Sequence, residues 1–458
     1  MRFIALTLLV VCATAVLGDD VRELHAKALS LLQQKKYGEA LAIYEEILKQ
    51  SPDDATALYN SACCLSLLKR VDEAVKRLRE AVKAGFLDLE HIKHDKDLAP
   101  VRESDAYKKF LQDFETLAQE AEKKKKQRIA KRLKGWLCKE DSEKKIVLFT
   151  NCSEKWAERL MRILRAWYDA HTGYFFPNKP KYYIYVCVAR DGESYRRYLG
   201  GRAGAAGFYN HSTRILNLNL RTGTGTLVHE FTHALHYADM DARHQRHPIW
   251  IVEGFGSMFE QCTIKDGKPV GLVNWRLPII QRALKQNKHW SLTHFIKNSY
   301  RCFSQNSSLA YAQARYIFFW LQHKGLLKRF YEEYTRTYKD DRTGLKAFEK
   351  VVGKSAADAE KEWREFVLSL KYPQRRVRLG IYAEGVEGGV KVKEVVKDTP
   401  AEAAGLKAGD VITEIDGKPI RGLSDLRKIL RSKKPGDTAT LKIKRGDKTL
   451  TLIAKFKK

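Results

Sequence analysis

Between Thr226 and Asp239 the sequence reads TLVHEFTHALHYAD, with two histidines four residues apart and a glutamate directly after the first. On an α-helix His229 and His233 lie one turn apart on one face, so their imidazoles converge on a common point. Glu230 is rotated about 100° from His229 on the helix wheel, where its carboxylate reaches a water at that point rather than the point itself. Catalytic zinc needs three protein ligands and an open position, so two imidazoles are not enough. Either a second element packs on this helix and supplies a third ligand, or the histidines are ordinary polar residues of an amphipathic helix. No other feature of the chain constrains its fold so tightly.

The segment HPIWIVEGFGSMFE, His247 to Glu260, reads as that second helix, with Glu253 at its start and a glycine directly after. Pro248, Trp250, Glu253 and Gly254 resemble the P-x-W-x-x-E-G signature of the gluzincin zinc metallopeptidases, in their peptidase MA-like, DUF1570-like branch. The 20 residues from His233 to Glu253 match the interval that family uses for its third ligand. The resemblance covers residues 138–372 and is sharpest over His229–Glu260. It implies a thermolysin-like α+β domain holding one Zn2+ per chain through His229, His233 and Glu253, with Glu230 as general base. Gly254 is expected to let the two helices approach. Glu260 is expected on the same side as Glu253, orienting His229 or His233; its plainer role is a surface acid.

GFYNHSTRILNLNL, before the first helix, is placed as the exposed edge strand on which this family lays substrate backbone. SSLAYAQARYIFFWLQHKG resembles the family's Y-A-Q helix and makes Tyr311 the candidate donor to a developing oxyanion. A core aromatic is the plainer role for Tyr311, and His236, His244 and His247 are its substitutes. The glycine-rich stretch Leu199–Tyr209 lacks a Walker lysine and the Rossmann spacing, so it is not a phosphate loop.

Residues 21–88 carry an internal repeat of 34 residues, pairing Leu24 with Leu58, Ala28 with Ala62, Leu31 with Leu65 and Ala40 with Ala74. This resembles tetratricopeptide repeats, helix pairs whose small residues permit close packing. The resemblance implies either a protein-binding groove or a packing spacer, and Ser104–Gln119 is a helix able to cover the exposed end. From Arg376 onward, short strands surround one brief helix. AGLKAGDVI and IDGKPI resemble bacterial-type PDZ domains, which add a peptide strand to a sheet edge and hold its C-terminal carboxylate. That resemblance places the carboxylate loop at Leu379, Gly380 and Ile381, and the groove-closing helix around Leu426 and Leu430.

MRFIALTLLVVCATAVLGDD has the pattern of a secretory signal peptide, implying a secreted or periplasmic envelope protein; a retained anchor is the alternative. Val11 is too bulky before Cys12 for a lipoprotein site. Seven scattered cysteines then remain, which is no disulfide framework. The expected organisation is a signal peptide (1–18), an all-α repeat domain (19–119), a basic helical linker (120–137), the α+β domain (138–372) and a mainly-β PDZ domain (374–458).

The formal charge of +29 includes a dense run, EKKKKQRIAKRLK, from Glu122 to Lys134. Such a run is a solvated helix or a weak attraction for polyanions. No zinc-finger, helix-turn-helix or aromatic RNA-binding motif accompanies it, so no specific nucleic acid is expected. Three functions follow: a zinc metallopeptidase acting on polypeptides, with repeat and PDZ modules for recruitment; an envelope scaffold of little or no turnover; or a polyanion-binding protein.

Overall fold

The computed structural model describes residues 19–201, 206–372 and 377–456, and forms two compact units that divide between Leu370 and Lys371. The segment expected to be a signal peptide, residues 1–18, and the part of the glycine-rich stretch at 202–205 lie outside the described residues. No helix among the described residues is long and apolar enough to cross a membrane.

The first unit opens with α1 (Asp19–Gln33), α2 (Tyr37–Gln50), α3 (Ala55–Leu67) and α4 (Val71–Ala84), each packed on the next. Ala28, Ala40, Ala62 and Ala74, the small positions of the repeat, are completely buried, and this is what lets the paired helices close on one another. Asp54 caps α3 by accepting from the N–H groups of Thr56 and Ala57 at 3.0 and 2.9 Å. After α5 (Leu89–His94) and a 3-10 turn comes α6 (Asp105–Arg132), whose Tyr107, Phe110, Phe114 and Leu117 enter the core of the repeats.

Helix α6 does not end at Gln119. Residues 105–132 contain neither glycine nor proline and are rich in Lys, Gln, Glu and Ala, so nothing interrupts the helix. The basic linker is therefore the second half of the covering helix, and its Ile129 packs with Leu133 on Val147, Phe149 and Tyr185 of the following sheet.

That sheet comprises β1 (Leu137–Asp141), β2 (Ile146–Thr150), β3 (Ile184–Ala189), β4 (Gly207–Asn210) and β5 (Ile215–Asn219), in the order β1-β2-β3-β5-β4. Strands β2, β3 and β5 are parallel, and β1 and β4 run antiparallel at the edges. Every residue of β2 and β3 is buried, as in a sheet covered on both faces. Helices α7 (Glu154–Thr172) and α8 (Gly192–Leu199) connect the strands. The segment expected to be one exposed edge strand is a hairpin: β4 forms the edge, while β5 lies inside it with Leu216 and Leu218 fully buried.

Helix α9 (Thr224–Ala242) follows β5 and packs on α7, β4 and β5, and α10 (Ile249–Met258) lies against it. Next come the hairpin β6 (Cys262–Lys265) and β7 (Lys268–Gly271), then α11 (Leu277–Lys285), α12 (Leu292–Lys297), α13 (Ser299–Gln305) and α14 (Ser307–His323). The unit ends with α15 (Leu327–Thr337), α16 (Leu345–Val352) and α17 (Ala356–Ser369). Helix α10 is thus held between α9 and α14. The seven cysteines among the described residues are all free.

The second unit contains β8 (Ile381–Val386), β9 (Gly389–Val395), α18 (Pro400–Ala403), β10 (Val411–Ile415), β11 (Lys418–Pro419), α19 (Leu423–Ser432), β12 (Thr438–Arg445) and β13 (Lys448–Lys455). The sheet order β13-β12-β10-β9-β8 leaves β8 at an edge, with α19 beside it. Leu426 of α19 is buried, and Leu430 packs on the same core. Before β8, the carbonyl of Leu379 accepts from Ala401 N–H at 2.8 Å, and that of Gly380 from Val396 N–H at 2.9 Å. Gly380 sits at φ 90°, and a Cβ there would run into Thr399, so only glycine fits this turn.

Candidate metal centre

Helix α9 is fixed on its buried side before it presents anything to a ligand. Asp239, fully buried, accepts from Tyr331 Oη at 2.6 Å, Arg243 Nε at 2.8 Å and Asn178 Nδ2 at 2.7 Å. Thr232 Oγ1 donates to the Val228 carbonyl at 2.7 Å and lies 3.0 Å from His171 Nε2. These contacts set the rotation of the helix, which turns His229 and His233 towards α10.

The three expected ligands converge. His229 Nε2 and His233 Nε2 are 3.0 Å apart, and Glu253 Oε2 lies 3.4 Å from the first and 3.3 Å from the second. A tetrahedral zinc site with bonds of about 2.05 Å has ligand-to-ligand edges of about 3.3 Å, so this triangle has the dimensions of one face of such a site. Of the three converging atoms, Glu253 Oε2 is buried without a hydrogen bond of good geometry. Buried polar atoms are rarely left so. Three lone pairs aimed at one point repel unless a cation sits among them, and the residues therefore fit a divalent metal.

Electrostatics agree. Burial pulls the His229 imidazole down, but the adjoining Glu253 and Glu260 carboxylates outweigh it and raise its pKa to about 10. Burial alone would raise Glu253, yet His233 and His229 hold it well below the usual carboxylate range. A field that keeps an extra proton on an imidazole is one that attracts a metal cation, which takes the proton's place on binding.

Glu260 stands behind His229, with Oε1 3.4 Å from Nδ1. It lies just past the end of α10 rather than on the helical face of Glu253. Arg276 grips it through two bonds of 2.6 and 2.8 Å, and Asn274 Nδ2 donates to it at 2.9 Å. Burial raises its carboxyl, but Arg276 and His229 bring it down to about 2. It is a largely buried anion beside the His229 ring, not a surface acid.

Glu230 accepts from the Tyr209 N–H of edge strand β4 at 2.9 Å, so its carboxylate is held between helix and strand. Its charge reaches both His229 and Tyr311. The Tyr311 ring centroid is 6.5 Å from that of His229, and Arg276 stacks over the Tyr311 ring at 4.8 Å. Burial first, then the charges of Glu253 and Glu230, push the phenol far above its ordinary range and keep it a neutral donor. The three substitutes are elsewhere: His236 and His247 are paired at 2.8 Å inside an aromatic core, and His244 is exposed on a turn.

One expectation is corrected at a glycine. Gly254 does not face α9: a Cβ there would strike the Phe318 ring of α14. The glycine facing the histidines is Gly256, whose Cβ would lie 2.6 Å from His233 Cε1 and 3.0 Å from His229 Cε1. Its position three residues after Glu253, one helical turn on, is the signal the sequence offers for it. Arg276 and Asn274 offer none, since they reach Glu260 from the loop after β7.

Three family models match the chain: tetratricopeptide repeat over residues 31–93, a protein family of unknown function (DUF1570) over 223–343, and PDZ domain over 377–455. They stand in the expected order. Among curated proteins, the chain is 37% identical over 99 residues to a chloroplastic protein of Arabidopsis thaliana, covering 21% of this chain and 28% of that one. It is 42% identical over 81 residues to Serine protease Do-like HtrB of Bacillus subtilis, covering 18% of each. The chain thus spans less than a third of the length of these relatives, and its likeness to the serine proteases is confined to the PDZ domain. Among solved structures, the HtrA3 PDZ domain bound to a phage-derived ligand aligns with a TM-score of 0.16 at 24% identity, covering 17% of this chain and 83% of that one.

Proposed function

We propose that the chain is a secreted or envelope zinc-dependent peptidase of the gluzincin type, with a thermolysin-like arrangement of α9 and α10 at its centre. The repeat and PDZ modules, which are protein-interaction modules, recruit polypeptides to it. The observation that carries this is the triangle of His229 Nε2, His233 Nε2 and Glu253 Oε2, with edges of 3.0–3.4 Å.

His229, His233 and Glu253 would hold the metal, with one ion per chain. Zinc bound there supplies Lewis acidity, polarising a substrate carbonyl and lowering the pKa of water. Glu230 takes a proton from the attacking water and passes it to the leaving amine. The Tyr209 N–H holds the Glu230 carboxylate in place for both transfers. Tyr311, kept neutral by burial and by nearby carboxylates, donates to the oxyanion as it develops. Glu260, fixed by Arg276 and Asn274, holds the His229 ring in orientation.

Glu230→Gln with metal analysis and a panel of unfolded protein substrates tests the proposal. The parent should carry one zinc and cleave, with loss of cleavage on chelation. The variant should keep its zinc and lose turnover by a factor of at least ~100. A parent that is fully loaded with zinc and cleaves nothing would instead make the chain a binding scaffold, the role its flanking modules would then serve.

A further inference from the structure

We propose that the cleft between the second helical repeat and the basic half of α6 is a binding site for an acidic polypeptide segment. Helix α6 packs on α4 through its first half and then leaves it, since Ile129 must reach the sheet. The two helices diverge, and a cavity of about 750 Å³ opens between them, within the range of ligand sites.

One wall is α6. Lys124, Arg128 and Lys131 lie at helical spacings of four and three, which puts them on a single face, and all are exposed. The opposite wall is α4, with Arg77 and Lys83, and the floor is made by Leu58, Pro52 and Ala84. Two of the five cations are already neutralised: Arg77 pairs with Glu45 at 2.6 Å and Glu80 at 3.0 Å, and Arg128 pairs with Asp53. Lys83, Lys124 and Lys131 have no carboxylate partner among the described residues. Three like charges thus face one cleft without compensation, an arrangement that attracts an anionic ligand.

The occupant's class follows from the rest of the lining. Asp53 and Glu80 pair with Arg128 and Arg77, which leaves separate lysines rather than a continuous basic track, so a few spaced carboxylates match the cleft better than an evenly charged phosphodiester backbone. The apolar floor and the Gln127 amide, both donor and acceptor, suit a peptide with acidic and apolar side chains. The basic run in the sequence is therefore the wall of a built cleft as well as a solvated helix face. This proposal does not depend on turnover at the metal centre.

The test uses the full chain and a fluorescein-labelled Glu/Asp-rich dodecapeptide, amidated at its C-terminus so that the PDZ domain is not engaged. Anisotropy should report saturable binding that weakens as salt rises. The triple variant Lys83→Glu, Lys124→Glu and Lys131→Glu should bind at least tenfold more weakly, with unchanged circular dichroism and melting temperature, because all three side chains are solvent-exposed. A neutral peptide of the same length should not compete. The proposal is overturned if the triple variant binds like the parent, if the neutral peptide competes equally, or if single-stranded oligonucleotide displaces the peptide at lower concentration than unlabelled peptide does.

Discussion

Gly256→Ala separates the geometry of the metal centre from the stability of its helix. Considered as a helix alone, α10 should gain about 1 kcal/mol from the change, because alanine is the better helix former. The structure gives the opposite sign. The added methyl would stand 2.6 Å from His233 Cε1, 2.8 Å from its Nε2 and 3.0 Å from His229 Cε1. Carbon atoms pack at about 3.5 Å or more, so the His233 ring must retreat by roughly 0.9 Å. Metal sites tolerate displacements of about 0.2 Å, so a retreat of that size breaks the triangle. Zinc affinity, measured by competition with a chelator of known strength, should fall by about 10- to 100-fold, the loss typical of misoriented ligands. Zinc-free protein should melt lower by an amount matching an overpacking penalty of about 1–3 kcal/mol, less the helix gain. Gly254→Ala is the control: its methyl strikes Phe318 in the apolar core, so stability falls while the folded protein keeps its zinc affinity. Zinc binding by Gly256→Ala within twofold of the parent, or equal losses in the two variants, would refute the assignment of Gly256 to the metal site.

Glu260→Gln removes the anion from a nearly buried pair, leaving Arg276 uncompensated; unfolding free energy should drop by about 3 kcal/mol and zinc affinity by about tenfold, read by denaturant titration and chelator competition. Three buried histidines make stability pH-dependent. Burial holds His171 and His247 at about 3, and His236 well below its usual value, so the folded state stays neutral where the unfolded chain takes up protons near pH 6.5. Stability should therefore fall as pH drops from 6.5 towards 5, by up to about 1.4 kcal/mol per pH unit for each histidine. All eight tryptophans precede residue 371, so their fluorescence reports this unit alone, and a flat denaturation midpoint across that interval would contradict the assignment. At the PDZ domain, a peptide ending in a free apolar C-terminus should bind, and amidating it should weaken binding at least tenfold in an anisotropy titration, because the loop at Leu379–Ile381 is then without its carboxylate.

What the sequence makes legible is what local geometry determines. A four-residue histidine spacing can only mean one helical face, and the repeat alanines at 34-residue spacing can only be close contacts; Ala28, Ala40, Ala62 and Ala74 are indeed fully buried. What stays hidden depends on contacts between distant segments. Gly254 and Gly256 are equivalent as helix residues, and only the placement of α14 on one side and α9 on the other distinguishes them. The β4–β5 hairpin reads as one strand because its turn carries no glycine or Asn-Gly signal; Arg214 takes the left-handed conformation there at φ 52°. A domain boundary at Gln119 is suggested by composition, which changes there, whereas helix propensity does not.

Arg214 also explains why an unfavourable backbone conformation is tolerated at that turn. Its guanidinium bonds the buried carboxylate of Glu122 on α6 at 2.5 Å, and Lys125 of the same helix donates to the carbonyl of Thr213. Glu122 accepts in addition from the Tyr183 N–H at 3.0 Å and from the Tyr185 hydroxyl. The turn is thus over-determined by a helix that begins in the repeat domain. The strand it fixes, β4, carries the Tyr209 N–H that holds Glu230. The position of the proposed base is consequently set by three segments far apart in the chain: α9 supplies the side chain, β4 the donor that orients it, and α6 the anchor for the hairpin. A four-residue motif specifies the first of these and says nothing about the other two. The continuity of α6 through the basic run is therefore a structural requirement of the site and not only a way of joining two domains.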